Sequence, residues 1–430
     1  MEKIKVGNYR WVVVALLFFA TTINYLDRQI IGLLKPTLAA QFHWTEIDYG
    51  HIVTAFTAAY AVGLLIFGNF IDKIGTKLGY TISLIVWSVA AMLHAIVKST
   101  FGFGVVRVAL GLGESGNFPA AIKAVAEWFP KRERAFATGI FNSGANIGAV
   151  VAPVIVPWLL GVYGWQMAFL LTGAIGFVWL IFWRIFYEIP SKHKKVTKAE
   201  YEFIHSDAEE VTVGTDIEQK IRWVKLLGIP QTWTFVVGKF LTDPIWYFFL
   251  FWLPSYFSST FNLDLKKPSL PLVIVYTATT FGSIGGGYLS SWLIKKGWPI
   301  FKARKTAMFI FAICVIPIIT ARFATNIWQA VGLISLAAAA HQAWSATIFT
   351  TASDMFPKRA VSSIVGIGGM AGSVGGIFFP GLIGFVLETN KQAGHILVGY
   401  NIIFTICGFA YLLAWIIMHL LSPKMKKVAL

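Results

Sequence analysis

Cysteine is nearly missing from this chain: two occur in 430 residues, Cys314 and Cys407, and both sit inside apolar stretches. A disulfide framework and a cysteine-built metal centre are thereby excluded, and both thiols read as packing groups. Formal charge is scarce as well. Asp, Glu, Lys and Arg make up 13% of the residues, about half the share usual in water-soluble domains. So little charge cannot clothe a large soluble catalytic domain. The sequence also lacks a nucleotide-binding motif, a metal-ligand cluster and an activated nucleophile, which counts against an enzyme. Lys and Arg outnumber Asp and Glu by 36 to 20, a net charge of +16. They are not gathered into a basic helix or an aromatic-lined groove, so nucleic acid is excluded as the partner.

What the chain has instead is apolar length, 57% of its residues. Windows of about 19 residues resolve twelve candidate spans. The first six cover 10–34, 50–71, 78–97, 101–126, 134–158 and 165–187; the second six cover 231–257, 271–294, 303–321, 326–354, 360–387 and 398–421. The first run is read as a retained helix, because it continues through Asn24, Tyr25, Asp27 and Arg28 with no small-residue cleavage site. Basic residues then test the list. Those at the N-terminus, after even-numbered spans and at the C-terminus number 26, against 6 on the opposite side and 4 within spans. This asymmetry places both termini on the cytoplasmic side of a lipid bilayer. The longest polar stretch, 188–230, reads as a cytoplasmic linker between an N-terminal six-helix lobe, 1–187, and a C-terminal one, 231–430. The fold expected is all-α and membrane-embedded, with twelve transmembrane helices in two six-helix lobes.

An internal repeat supports the division. Phe129-Pro130-Lys131-Arg132 returns as Phe356-Pro357-Lys358-Arg359, and the same 227-residue offset carries Glu127 onto Asp354, Gly139 onto Gly366, Gly148 onto Gly375 and Pro153 onto Pro380. Parallel repeats of this kind place a ligand site between the lobes near the bilayer midplane.

Ionisable groups inside apolar helices are costly, so each marks a candidate site. The first span holds Asp27 and Arg28; the fourth holds Arg107 and Glu114. Arg107 and Glu114 lie about 10 Å apart along one helix face, so neither suits the other. Packing the first span on the fourth would satisfy all four, with Asp27 near Arg107 and Arg28 near Glu114. A permanently paired network would only fix helix register. The functional alternative is a proton switch: two acids and two bases leave no spare positive charge until a carboxylate is protonated, which frees a guanidinium for an anion. Which of Asp27 and Glu114 couples the proton is left open. The repeat offset carries Glu114 onto His341, a secondary proton candidate. The N-terminal lobe is thus expected to supply charge, and the C-terminal lobe mostly hydrogen bonds. Tyr25, Tyr60, Asn142, Asn146, Trp246, Gln342 and Ser345 supply hydroxyl, amide and aromatic groups suited to a polyhydroxylated ligand. Lys239 and Asp243, four apart around Pro244, read as a pair within their own helix.

Gly68-Asn69-Phe70-Ile71-Asp72-Lys73-Ile74-Gly75-Thr76-Lys77 resembles the signature loop of the major facilitator superfamily, a charge-linked latch on the cytoplasmic face. In the second half Ser291 stands where the acid would be, so the latch should be asymmetric. Asn24-Tyr25-Leu26-Asp27-Arg28, Arg107 through Pro119 and the duplicated Phe-Pro-Lys-Arg loops resemble the anion:cation symporter family. Lys239 through Pro254 is similar to the seventh helix of hexuronate transporters. The resemblance implies proton-driven import of galacturonate or glucuronate across a bacterial inner membrane. It also implies that Arg28 contacts the carboxylate and that Asp27 and Glu114 titrate. An aldonate such as galactonate, or an aldarate, is the alternative substrate, and an organophosphate is disfavoured because the seventh span has no arginine. No cofactor is expected.

Overall fold

The computed structural model describes residues 7–44, 46–206, 223–263 and 270–428. Every regular element among them is helical. The N-terminal half contains α1 (Tyr9–Phe42), α2 (Glu46–Ile74), α3 (Thr76–Leu93), α4 (Thr100–Glu114), α5 (Asn117–Trp128) and α6 (Lys131–Phe186). A short helix α7 (Lys198–Ile204) follows, then α8 (Pro230–Phe251), α9 (Leu253–Phe261), α10 (Leu270–Lys295), α11 (Ile300–Val315), α12 (Ile327–Met355), α13 (Val361–Gln392) and α14 (Ile396–Leu421). The linker expected at 188–230 is described at its two ends, 188–206 and 223–230, and 207–222 lie outside the described residues.

The breaks differ from the sequence expectation, and each has a local cause. The fourth span is two helices. Pro119 has no N–H to give the Ser115 carbonyl, and α4 stops at Glu114. The fifth and sixth spans run together as α6 and part only at Gly164, where φ of 82° suits a residue without a side chain. The seventh span is likewise divided, into α8 and α9 at Trp252. Nine described segments are long and apolar enough to cross a membrane, with α6 contributing two of them. The fourth span falls short because it is broken into two short helices, the seventh because α8 carries Lys239, Asp243 and other polar groups, and the tenth because α12 carries polar groups from His341 to Asp354. Outward faces are apolar, as at Phe281 and Phe385, about 70% exposed, which suits hydrocarbon.

The helices form two bundles that meet along α2–α13 and α6–α10. Backbones touch there. A Cβ on Gly68 would come within 2.6 Å of the Ser362 carbonyl, and one on Gly287 would collide with the Ala135 carbonyl. Next to these contacts, at the end bearing the basic loops, Asp72 accepts the N–H groups of Ser362 (3.3 Å) and Ser363 (2.7 Å) at the start of α13. Lys123 Nζ donates to the same carboxylate at 2.9 Å. Asp354 binds both Arg134 from the first bundle and Arg304 from its own, each at 3.1 Å. Its repeat partner Glu127 instead accepts hydroxyls, from Thr76 at 2.8 Å and Tyr187 at 2.6 Å. The Ser291 hydroxyl, at the position of the missing acid, has no hydrogen-bond partner among the described residues. The latch is asymmetric.

Candidate functional site

Between the bundles, at mid-depth, lies a polar cavity. Helices α1, α2, α5 and α6 wall one side; α8, α12 and α13 wall the other. Of the residues singled out from sequence, Tyr25, Arg28, Tyr60, Asn142, Trp246, His341, Gln342 and Ser345 line it.

Arg28 is the centre of the first wall. Its Nε donates to Glu114 Oε2 at 2.9 Å and its Nη2 to Asn24 Oδ1 at 3.4 Å. The guanidinium lies 4.6 Å from the rings of both Tyr25 and Tyr60, and 5.3 Å from Phe56. Aromatic faces hold the cation without consuming its donors. The break between α4 and α5 places Glu114 at a helix end, fully buried. The arginine keeps 23% of its side-chain surface, so the cation fronts the cavity with the acid sealed behind it.

The other expected pair forms no hydrogen bond, although the Arg107 charge is near enough to act on Asp27. Arg107 donates to the Arg28 carbonyl at 3.3 Å and rests over Phe56 at 5.5 Å, and it forms no hydrogen bond with Asp27. Both Asp27 carboxylate oxygens are buried without a hydrogen-bond partner among the described residues. The neighbouring Thr172 hydroxyl donates to the Ala168 carbonyl at 2.9 Å. The two acids therefore occupy different surroundings, one paired with the cavity arginine and one without a donor.

The second wall also departs from expectation. Instead of hydrogen-bonding groups alone, it carries the Lys239–Asp243 ion pair, at 2.7 Å, on the cavity surface. Tyr247, Phe349 and Ser373 also line it and were not singled out from sequence. Trp246 stacks on His341 with ring planes 3° apart and centroids 5.3 Å apart, and His341 Nδ1 hydrogen-bonds with the Tyr411 hydroxyl. The histidine holds the tryptophan. Asn142 Nδ2 donates to Gln342 Oε1 at 3.0 Å and to Ser283 Oγ at 3.1 Å. Asn146 lies outside the lining and accepts from Gln342 Nε2 at 3.4 Å. These amides join the bundles across the cavity floor.

Two helical bundles around a mid-depth polar cavity define a membrane carrier. The family model described as Major Facilitator Superfamily matches residues 17–380, and the chain belongs to that superfamily of transporters, not to an enzyme family. It is 31% identical to the hexuronate transporter of Escherichia coli (strain K12), over 99% of this chain and 96% of that protein. It is 34% identical to the galacturonate transporter of Dickeya chrysanthemi, over 66% of this chain and 82% of that protein. Among solved structures, the Escherichia coli fucose:proton symporter shares the fold with a TM-score of 0.68 at 16% identity, covering 96% of this chain and all of that one.

Proposed function

We propose that the protein is a proton-coupled symporter that imports a hexuronate, galacturonate or glucuronate, by alternating access. The observation that carries the reading is the Arg28–Glu114 pair, in which the cation fronts the cavity and the acid is sealed behind it. With Glu114 ionised, the guanidinium is engaged by its own carboxylate. A proton on Glu114 releases the arginine to bind the sugar-acid carboxylate, and the bound anion in turn stabilises the protonated acid. Asp27 is the second proton site. An ionised carboxylate there has no donor to replace its lost hydration, whereas the neutral acid needs less. Asn142, Gln342 and Ser345 face the sugar hydroxyls, and Trp246 or Tyr25 covers the apolar face of the ring. The hexuronate itself rests on the two relatives named above.

Closure at the basic end is the state from which the ligand enters on the opposite side. In this reading residues 1–187 and 231–430 are the moving lobes and 188–230 the linker. Both termini and the basic face lie in the cytoplasm of a cell whose inner membrane holds the carrier. Uptake of labelled galacturonate into proteoliposomes tests the function. An inward proton gradient should drive accumulation above equilibrium, and accumulation indifferent to the gradient would reject the coupling.

A further inference from the structure

The two walls of the cavity hold their ion pairs in opposite senses. On the first wall the cation, from α1, is presented and the acid, at the end of α4, is hidden, with side-chain exposures of 23% for Arg28 and none for Glu114. On α8 the order is reversed. Lys239 borders the cavity but is only 5% exposed, with its ammonium 4.1 Å from the Phe349 ring centroid, while its partner Asp243 shows 23% of its side chain. Helix α13 fixes the carboxylate from behind, since a Cβ on Gly372 would collide with Asp243 Oδ2. One wall of the cavity therefore offers a guanidinium, and the other a carboxylate whose counter-ion is the less exposed member of its pair.

From this polarity we infer that Asp243 determines specificity by restricting the carrier to sugar acids with a single carboxylate. The inference rests on the hexuronate reading and deepens it. A monocarboxylate enters with its anionic end on Arg28, and its far hydroxyls donate to Asp243, an acceptor with oxygens to spare. A dicarboxylate of the same length brings a second anion against Asp243. Lys239 offsets only part of that repulsion, because it is the more buried member of the pair and its ammonium is turned toward the Phe349 ring. The pair thus does more than support its helix: it orients the ligand and rejects aldarates.

The test is competition during exchange of labelled galacturonate by the full chain in proteoliposomes. The competitors are unlabelled galacturonate and galactarate, its dicarboxylate counterpart. Wild type should be inhibited by galactarate at least about tenfold more weakly than by galacturonate, a gap that one like-charge contact suffices to produce. Asp243→Asn and Asp243→Ser keep a polar group and remove the charge, and in both the gap should close by about tenfold. Where a variant exchanges poorly, the same ratio is read from ligand-induced thermal shifts of the purified protein. Equal inhibition of wild type by the two anions overturns the inference, as does a gap that persists in both variants. Wild type that neither exchanges nor binds galacturonate overturns the hexuronate reading itself, a result distinct from either.

Discussion

Arg28 concentrates the chemistry at the residue scale. It is held by one carboxylate, one amide and two tyrosine faces, yet keeps a cavity-facing surface. Arg28→Ala should weaken galacturonate binding at least about 30-fold, the low end of the cost of truncating a buried charge partner. Isothermal titration measures this, and unchanged affinity would remove Arg28 from the site. Arg28→Lys should restore little, because a lysine cannot face Glu114 and a ligand carboxylate with a planar fork. Asp27→Asn should spare galacturonate exchange but abolish accumulation driven by a proton gradient. Gradient-driven accumulation at the wild-type level would show that Asp27 takes no part in coupling. These four charges were legible in the sequence because hydrocarbon makes every buried ion conspicuous. Their partners were only half legible: Arg28 meets Glu114 as expected, but Arg107 turns to a backbone carbonyl. Lys239 and Asp243 pair within their helix as expected, but their place on the cavity surface was hidden, since a pair four residues apart looks local. Which member is the more exposed depends on Phe349 and Gly372, residues more than a hundred positions away.

At the scale of elements, the basic face is closed by backbone contact between α2 and α13 and between α6 and α10. Gly287→Val would force α10 away from the Ala135 carbonyl, and repacking cannot relieve a clash with backbone. Ser362, buried where α13 meets α2, reports the opening. With Cys314 and Cys407 replaced, a cysteine at Ser362 should react with maleimide from the basic side several-fold faster in the Gly287→Val background. Equal rates would mean that the α6–α10 contact does not hold this face shut. The twelve spans were visible from hydropathy and the alternation of basic loops, but the helix breaks were not. Proline and glycine occur throughout the apolar spans, and hydropathy does not tell which of them, here Pro119 and Gly164, interrupts a helix.

For the whole molecule, the duplication explains why one fold carries two unlike walls. The repeat preserves acids at Glu127 and Asp354 while their partners diverge, hydroxyls on Glu127 and an arginine from each bundle on Asp354. In the same way Glu114 is replaced by His341, which holds Trp246 rather than an arginine. Reporter fusions at both ends of the chain should give a cytoplasmic signal if the basic-residue asymmetry sets the orientation, and a periplasmic signal at either end would contradict it. The central claim, that a proton and a sugar acid each favour the other's binding through Arg28 and Glu114, is tested most directly by equilibrium titration of galacturonate across a pH series. Affinity should rise as pH falls, by up to about tenfold per unit if one proton is taken up with each anion, and Glu114→Gln should flatten the dependence. An affinity that is flat with pH in the wild type, or equally steep in Glu114→Gln, would contradict it.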